Sequence, residues 1–523
     1  MLALRLCVGA LMLSPLAVFA PTAHAKDNPP PIGTIEIVTK QVFHEAEYQQ
    51  VFWAYQVANK LHVRTREDII RQELLFAPGD PADPELLAET ERNLRSLTFI
   101  RDARIETTPG EDGTVDVRVR TFDTWSTVPE LAFAKVGNEI TWGVGASERN
   151  LLGRGKHLEL TYRHELERDS TNFFYRDPRV AGSRVASSIG YSDLSDGNRG
   201  HFAVSQPFFS IDTKWAFGLQ LQGYDQLDPL YQDGDRVEDL HHVSGGGSID
   251  VARAVLRTGY SALRLHAGYQ KQRDDVDGAV RDFGILRVGV SSVRHRYLKL
   301  THVNRFEVAE DFNLGNQASA FFGVSTPALG GEPGKVYFFF LSEQVGVPFG
   351  AEHFLRGAAV WEARHRRQRL ENSLAFFHLE YVNKMSPRRA LLATAQLRYG
   401  SNLDPEVQLT LGAQNGLRGY PVFQFVGDRS LLLSAEKRIF IADEVARLVS
   451  FAVGFFADAG YAWPTGTKIV FDDLRADVGV GLLLGRNRLS SSRPGVRFDL
   501  AYALHPVAGR SRWLFSVGSR IGL

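Results

Sequence analysis

The sequence predicts an all-β transmembrane barrel of antiparallel strands, preceded by a small α+β domain. Three observations predict it. From about Val128 onward helical spacing disappears and period-2 segments recur, separated by Gly, Asn, Asp, Ser and Pro. The 523 residues include 34 Phe, 16 Tyr and 48 Gly but only 3 Met and a single Cys, a profile that fits an exported membrane barrel. The run Asn415-Gly416-Leu417-Arg418-Gly419-Tyr420-Pro421 precedes a strand-like segment carrying Phe456-Ala457-Asp458-Ala459-Gly460. That pairing suggests a charged latch inside a lumen.

The first 25 residues read as a secretory signal. Arg5 gives the positive start, Leu6 to Ala20 the apolar run and Ala23-His24-Ala25 a small-x-small cleavage site, so a mature chain would begin at Lys26. The apolar run is too short for a membrane anchor. Cys7 lies inside this segment, which leaves no disulfide or thiol chemistry downstream. Lys26 to Ile32 is a short leader.

Residues 33–122 read as the small domain. Ile32 to Val38 alternates as a strand. A partly aromatic connection runs from Phe43 to Leu61. Thr65 is expected to cap a helix with Asp68 as its capping partner, and Ile69, Ile70, Glu73 and Leu74 follow at helical spacing. Gly79-Asp80-Pro81 breaks that helix. Asp83 is expected to cap a second one with Pro84 at its first position and Leu87, Leu94 and Leu97 on its apolar face. Strands at Ala103 to Thr108 and Val115 to Arg120, joined by Gly110-Glu111-Asp112-Gly113, complete a β-α-α-β-β order.

The barrel region spans residues 128–523. In Val496 to Leu504, valine, phenylalanine, leucine and tyrosine share one face, while Arg497 and Asp499 share the other. Charges in mid-strand on an inner face favour a lumen over the dry core of a soluble sandwich. Candidate segments number nearer 18 or 19, with Phe173 to Tyr175 read as part of a broken strand or loop hairpin.

Composition narrows the function. Lys+Arg and Asp+Glu are 60 each, so no nucleic-acid partner is indicated. There is no G-x-S-x-G elbow, phosphate-cradling glycine loop or metal-ligand spacing, and His241-His242 reads as a solvated pair. No enzyme activity, cofactor or metal is expected. Arg364-His365-Arg366-Arg367-Gln368-Arg369 reads as a connection between strands, with lipopolysaccharide phosphates as an alternative contact.

Several stretches carry a family resemblance. Leu74…Gly79-Asp80 before the second helix and Leu97-Thr98-Phe99-Ile100-Arg101-Asp102-Ala103 after it resemble a POTRA domain. Glu148 to Gly155 resembles the first barrel turn of the BamA/TamA superfamily. Leu417-Arg418-Gly419-Tyr420 resembles its invaginating-loop motif, and Phe456-Ala457-Asp458-Ala459-Gly460 its F-x-D-x-G strand motif. Ser516 to Leu523, with Gly518, Ile521 and Leu523, resembles a last-strand assembly signal, although Leu523 replaces the usual terminal aromatic. The resemblance implies about 16 strands, which at about 10 residues each plus turns suits the region's length.

It also implies that the Arg418 loop folds back into the lumen. Parity supplies the partners. Phe456, Asp458 and Gly460 share the lumenal face of their segment, and Ser434, Glu436 and Arg438 share that of the preceding one. Asp458 is the first expected partner of Arg418. Glu436 is the second, with Arg438 or Arg497 as its alternatives. Gly416 and Gly419 would let the chain turn beside the arginine, and Tyr420 and Pro421 would pack the tip.

The function implied is non-enzymatic insertion or assembly of proteins in the bacterial outer membrane, or translocation across it, with the N-terminal domain in the periplasm. Implied partners are outer-membrane lipid and lipopolysaccharide, unfolded clients bound by the POTRA-like domain, and accessory assembly proteins. A dedicated two-partner secretion pore and a passive channel or surface antigen are the alternatives.

Overall fold

The computed structural model describes residues 29–42, 62–445, 449–468, 470–485, 488 and 495–518. The signal segment, the first part of the leader, the Phe43 to Leu61 connection, Ile521 and Leu523 lie outside the described residues.

The N-terminal unit packs two helices on one three-stranded sheet. Strand β1 (Ile32–Lys40) pairs parallel to β3 (Val115–Asp123), which pairs antiparallel to β2 (Ile100–Pro109). Helix α1 (Glu67–Glu73) and α2 (Pro84–Ser96) bury Ile69, Ile70 and Leu94 against Val117 and Val119. Asp83 caps α2 by accepting from Glu85 N at 2.9 Å, with Pro84 at the first position. The expected cap of α1 is different: Arg66 occupies that place and makes no side-chain cap. Thr65 is used elsewhere, accepting from Asn150 Nδ2 at 2.8 Å and donating its N–H to Asp123 at 2.8 Å. A contact to the barrel has displaced a local one.

Among the described residues twenty strands close into one barrel, not about 16. In chain order they begin with β4 (Thr127–Val136), β5 (Glu139–Leu151), β6 (Lys156–His164), β7 (Asp169–Asp177), β8 (Ala186–Leu194) and β9 (Gly197–Gln206). Then come β10 (Trp215–Gln232), β11 (Asp235–Arg257), β12 (Ser261–Val276) and β13 (Ala279–Arg294). A hairpin of β14 (Tyr297–Leu300) and β15 (Glu310–Asn313) stands apart from the wall. The wall resumes with β16 (Gln317–Ser325), β17 (Val336–Pro348), β18 (His353–Arg366), β19 (Arg369–Ser386) and β20 (Arg389–Ser401). A second pair off the wall is β21 (Leu409–Leu411) with β22 (Phe425–Gly427). Last come β23 (Arg429–Val445), β24 (Val449–Trp463), β25 (Arg475–Gly485), β26 (Gly495–Ala503) and β27 (Trp513–Gly518).

Turn chemistry explains the difference in number. Asp233-Gly234 and Asp277-Gly278 close hairpins with both residues at positive φ, and Arg367-Gln368 does the same. Such two-residue turns leave to strands the residues that longer loops would have taken. Phe173 to Tyr175, expected in a broken segment, lies inside β7, which is paired along both edges. Arg364 and Arg366 likewise lie on β18, leaving only two residues as a turn.

The outer wall is apolar. Leu131, Phe133, Leu160, Ile249, Val288 and Phe455 are each more than half exposed, on faces opposite the buried polar residues. Lipid is the solvent that such a surface requires. Strand β4 starts beside the N-terminal unit, and with an even strand count β27 runs back toward that rim. We call this the near rim and the opposite one the far rim.

Candidate functional site: an ionic network between two lumenal inserts

Strand β23 alternates almost perfectly, with Leu432, Ser434, Glu436, Arg438 and Phe440 buried on the lumenal side. On β24 the same face carries Phe456, Asp458 and Gly460; on β26 it carries Arg497 and Asp499. Phe455 and Leu500 face outward. Register places Ser434 opposite Asp458, and Asp458 opposite Asp477 of β25.

The far-rim connection from β20 to β23 turns into the barrel. Its tip is held by Leu417 and Tyr420, both essentially fully buried, packed with Leu432, Ala462 and Phe425. Tyr420 Oη donates to Ala476 O at 2.9 Å, with His505 O 3.1 Å away. Gly416 sits at φ 133°, a left-handed conformation that other residues seldom adopt. Gly419 is needed for proximity: a Cβ there would lie 2.6 Å from Asp477 Cβ. Pro421 follows at the tip, partly exposed.

Arg418 is thereby aimed at the wall. Its Nε donates to Asp458 Oδ2 at 2.7 Å and its Nη2 to Asp458 Oδ1 at 2.8 Å, a bidentate fork. Nη1 donates to Glu436 Oε2 at 2.8 Å. The guanidinium carbon lies 3.5 Å from the Phe456 ring centroid, so an aromatic face closes the side that the carboxylates leave open. Ser434 also donates to Asp458. Gly460 has no direct part in the fork; a Cβ there would strike Leu431 O at 2.5 Å, so it serves the close approach of β23 and β24.

Glu436 is the hub. Besides Arg418 it accepts from Arg438 Nε at 2.7 Å and from Arg497 Nη1 at 2.9 Å. Arg497 Nε in turn donates to both oxygens of Asp499 at 2.7 Å. Both alternatives weighed for Glu436 are thus realised together with the Arg418 contact.

A second insert enters from the near rim. The β14–β15 hairpin and its connection bury Val303 and Phe306 in the lumen, with Phe306 against Phe440, Ala452 and Leu483. Arg438 Nη1 donates to Val303 O at 2.9 Å. One ionic network therefore touches a far-rim loop at Arg418 and a near-rim hairpin at Arg438, two residues from the hub. Sequence reading missed this insert, because a hairpin flanked by strands reads as two more strands. Phe306 between polar residues was the one available signal.

The N-terminal unit covers the near rim through contacts with many barrel turns. Arg66 N donates to Gly153 O at 3.1 Å, and Arg95 forks Asp311 at 2.9 Å. Arg179 Nε donates to Glu73 at 2.8 Å, Arg101 to Glu444 at 3.3 Å, and Ile211 N to Glu89 at 3.1 Å. The Glu148 to Gly155 turn is thus a docking point, where Asn150 bonds Thr65 and receives Gly155 N at 2.7 Å. Glu89 is partly desolvated at this contact, which raises its carboxyl above the ordinary range.

Within Arg364 to Arg369, Arg364 Nη1 holds Asp404 of the inward loop at 2.9 Å and Arg366 Nε holds Glu371 at 3.1 Å. Gly518 ends β27 beside Ala134 of β4. Among the described residues no group of acidic, His and Cys side chains could hold a metal ion. Among the described residues no helix is long and apolar enough to cross a membrane.

No family profile and no curated protein matches the chain. Solved structures similar to it include CdiB from Acinetobacter baumannii, 13% identical with a TM-score of 0.45, covering 94% of this chain and 73% of that one. CdiB from Escherichia coli is 12% identical with a TM-score of 0.44, covering 98% and 95%. BamA from Haemophilus ducreyi lacking POTRA domains 1–3 is 12% identical with a TM-score of 0.40, covering 93% and 84%.

Proposed function

We propose that this protein resides in a bacterial outer membrane and assists the insertion of other proteins into it, or their translocation across it, without catalysing a reaction. The observation that carries this reading is the latched lumen. A loop and a hairpin enter from opposite rims and are tied to one wall by a linked set of ion pairs and hydrogen bonds. Passage must then be gated or lateral, and a passive channel has no use for such a lock.

The lateral route in this reading is the seam where the first barrel strand, β4, meets β27. The N-terminal unit, read as a single POTRA-like domain in the periplasm, leaves both outer edges of its β1-β3-β2 sheet without a described strand partner. An extended client can add to such an edge through main-chain hydrogen bonds. Lipid and lipopolysaccharide around the wall, unfolded clients at the sheet edge and accessory assembly proteins are the partners of this reading.

Depletion of the protein followed by comparison of outer-membrane and secreted proteomes tests it. Broad loss of barrel proteins supports assembly. Loss of one secreted protein redirects the reading to dedicated two-partner-type secretion. An unchanged proteome with steady conductance in planar bilayers would sink both in favour of a channel or surface antigen.

A further inference from the structure

Away from the latch the lumen is hollow. A chamber of about 840 Å³ lies between the inward loop, at Asp404 and Glu406, and the wall from β10 to β18. Its size falls within the range of pockets that enclose small organic ligands, about 300–1,000 Å³. Its lining is unusual for the inside of a membrane barrel, where polar side chains are the rule. Phe283, Phe321, Phe338 and Phe340 all face inward, on the adjacent strands β13, β16 and β17. Phe321 and Phe340 are register partners with ring centroids 6.0 Å apart, and Phe283 meets Phe338 edge-on at 5.2 Å.

The charges are unbalanced. Six carboxylates line the chamber against three guanidiniums. Each guanidinium is engaged: Arg364 with Asp404, Arg287 Nε with Asp250 at 2.9 Å, and Arg281 with Glu406. Asp228 and Asp274 flank His242, at 2.6 Å and 3.9 Å, and Arg281, already held by Glu406, is Asp274's register partner on β13. Glu362 is exposed and makes no ion pair or hydrogen bond among the described residues. Register sets Glu362 of β18 beside Phe340 of β17, so a free carboxylate and the Phe340–Phe321 pair form one row along the inner face.

We propose that this chamber binds an organic cation, an ammonium or guanidinium group carried on an apolar or aromatic body. The rings offer the body a flat surface and the cation their negative faces. Glu362 supplies the counter-charge, and the remaining surplus of carboxylates repels anions. The same chemistry could arrive as a free small molecule or as a side chain of a translocating polypeptide. The inference rests on the chamber alone and stands whichever client the barrel handles.

Titration calorimetry on the full-length protein in detergent tests it with benzamidine, with benzoate as a ring of similar shape and opposite charge, and with an end-capped hexapeptide bearing one arginine and one phenylalanine. The expected result is saturable one-to-one binding of benzamidine, at least tenfold tighter than benzoate. Glu362→Gln, an exposed and nearly isosteric change, should weaken benzamidine at least tenfold while leaving heat-modifiable migration unchanged, and Phe340→Leu should weaken it as well. A hexapeptide tighter than benzamidine assigns the site to client side chains; a weaker one assigns it to a free cation. The proposal is overturned if neither cation gives saturable heat, if benzoate binds equally, or if Glu362→Gln binds as the wild type does.

Discussion

The two halves of the lumen use the same residue types to opposite ends. Along β23 to β26, the arginines and all the lumenal carboxylates but Asp477 are paired, buried and shared between strands and inserts, with Glu436 and Arg438 fully enclosed. Along β10 to β18, carboxylates outnumber guanidiniums, phenylalanines face inward and space is left open. What differs is the supply of partners. Where arginines and carboxylates are matched within reach, with buried Asp477 the exception, the lumen can be filled and fixed. Where one sign is in excess, it stays hollow and receptive.

That contrast can be broken most forcefully at the hub. Glu436→Ala leaves Arg418, Arg438 and Arg497 short of a counter-charge, and removing one side of a buried ion pair typically costs about 3–5 kcal/mol. The expected outcome is the largest fall in the urea midpoint of any single lumenal substitution, with reduced heat-modifiable species on gels. Arg418→Ala and Asp458→Ala should each destabilise by somewhat less, since Arg418 is two-pronged and Ser434 still caps Asp458. Because the two share one fork, the double substitution should cost less than the sum, by about 1 kcal/mol or more. Strict additivity in a double-mutant cycle would remove the latch from this account.

Arg438→Leu probes the other end of the network. It should expose the near-rim hairpin to protease ahead of the far-rim loop, and equal cleavage of both would deny that the inserts are separately held. On the hollow side Glu362→Gln should change stability by no more than about 0.5 kcal/mol, as for an ordinary exposed position. A large loss there would mean the chamber is a structural core and the contrast false.

The smallest effect concerns the covered rim. Glu89 has a raised carboxyl in the docked state, so docking takes up protons. Attachment of the N-terminal unit should therefore tighten slightly as pH falls from neutral through that raised value. The preference should level off below the ordinary carboxylate value. Limited proteolysis across pH, with Glu89→Gln as the insensitive control, measures it.

Much of the latch was legible because a strand's period of two is a strict rule. Once Phe455 and Leu433 are assigned to lipid, Asp458 and Glu436 must face inward, and the structure has both there. Within the N-terminal unit, local signals such as Asp83-Pro84 located an element start directly. What escaped depends on contacts distant in sequence. Thr65 gave up its capping role for Asn150, 85 residues away. The tie between Arg438 and Val303 spans 135 residues, and nothing near either residue announces it. The strand number escaped because two-residue turns and inward-folded hairpins are hard to tell apart by alternation alone.

The position of the hub within the chain has a temporal consequence. The hairpin and the Arg418 loop both precede β23, while Glu436, Asp458 and Arg497 all follow the loop. The Arg418 loop cannot find its counter-charges until β23 and β24 have taken their places, and the hairpin cannot meet Arg438 before β23 has. Closure of the latch would then be a late event in biogenesis, rewarding only a wall that is nearly complete. A chain halted before β24 should leave the Arg418 loop open to protease even if the earlier strands are already in the bilayer.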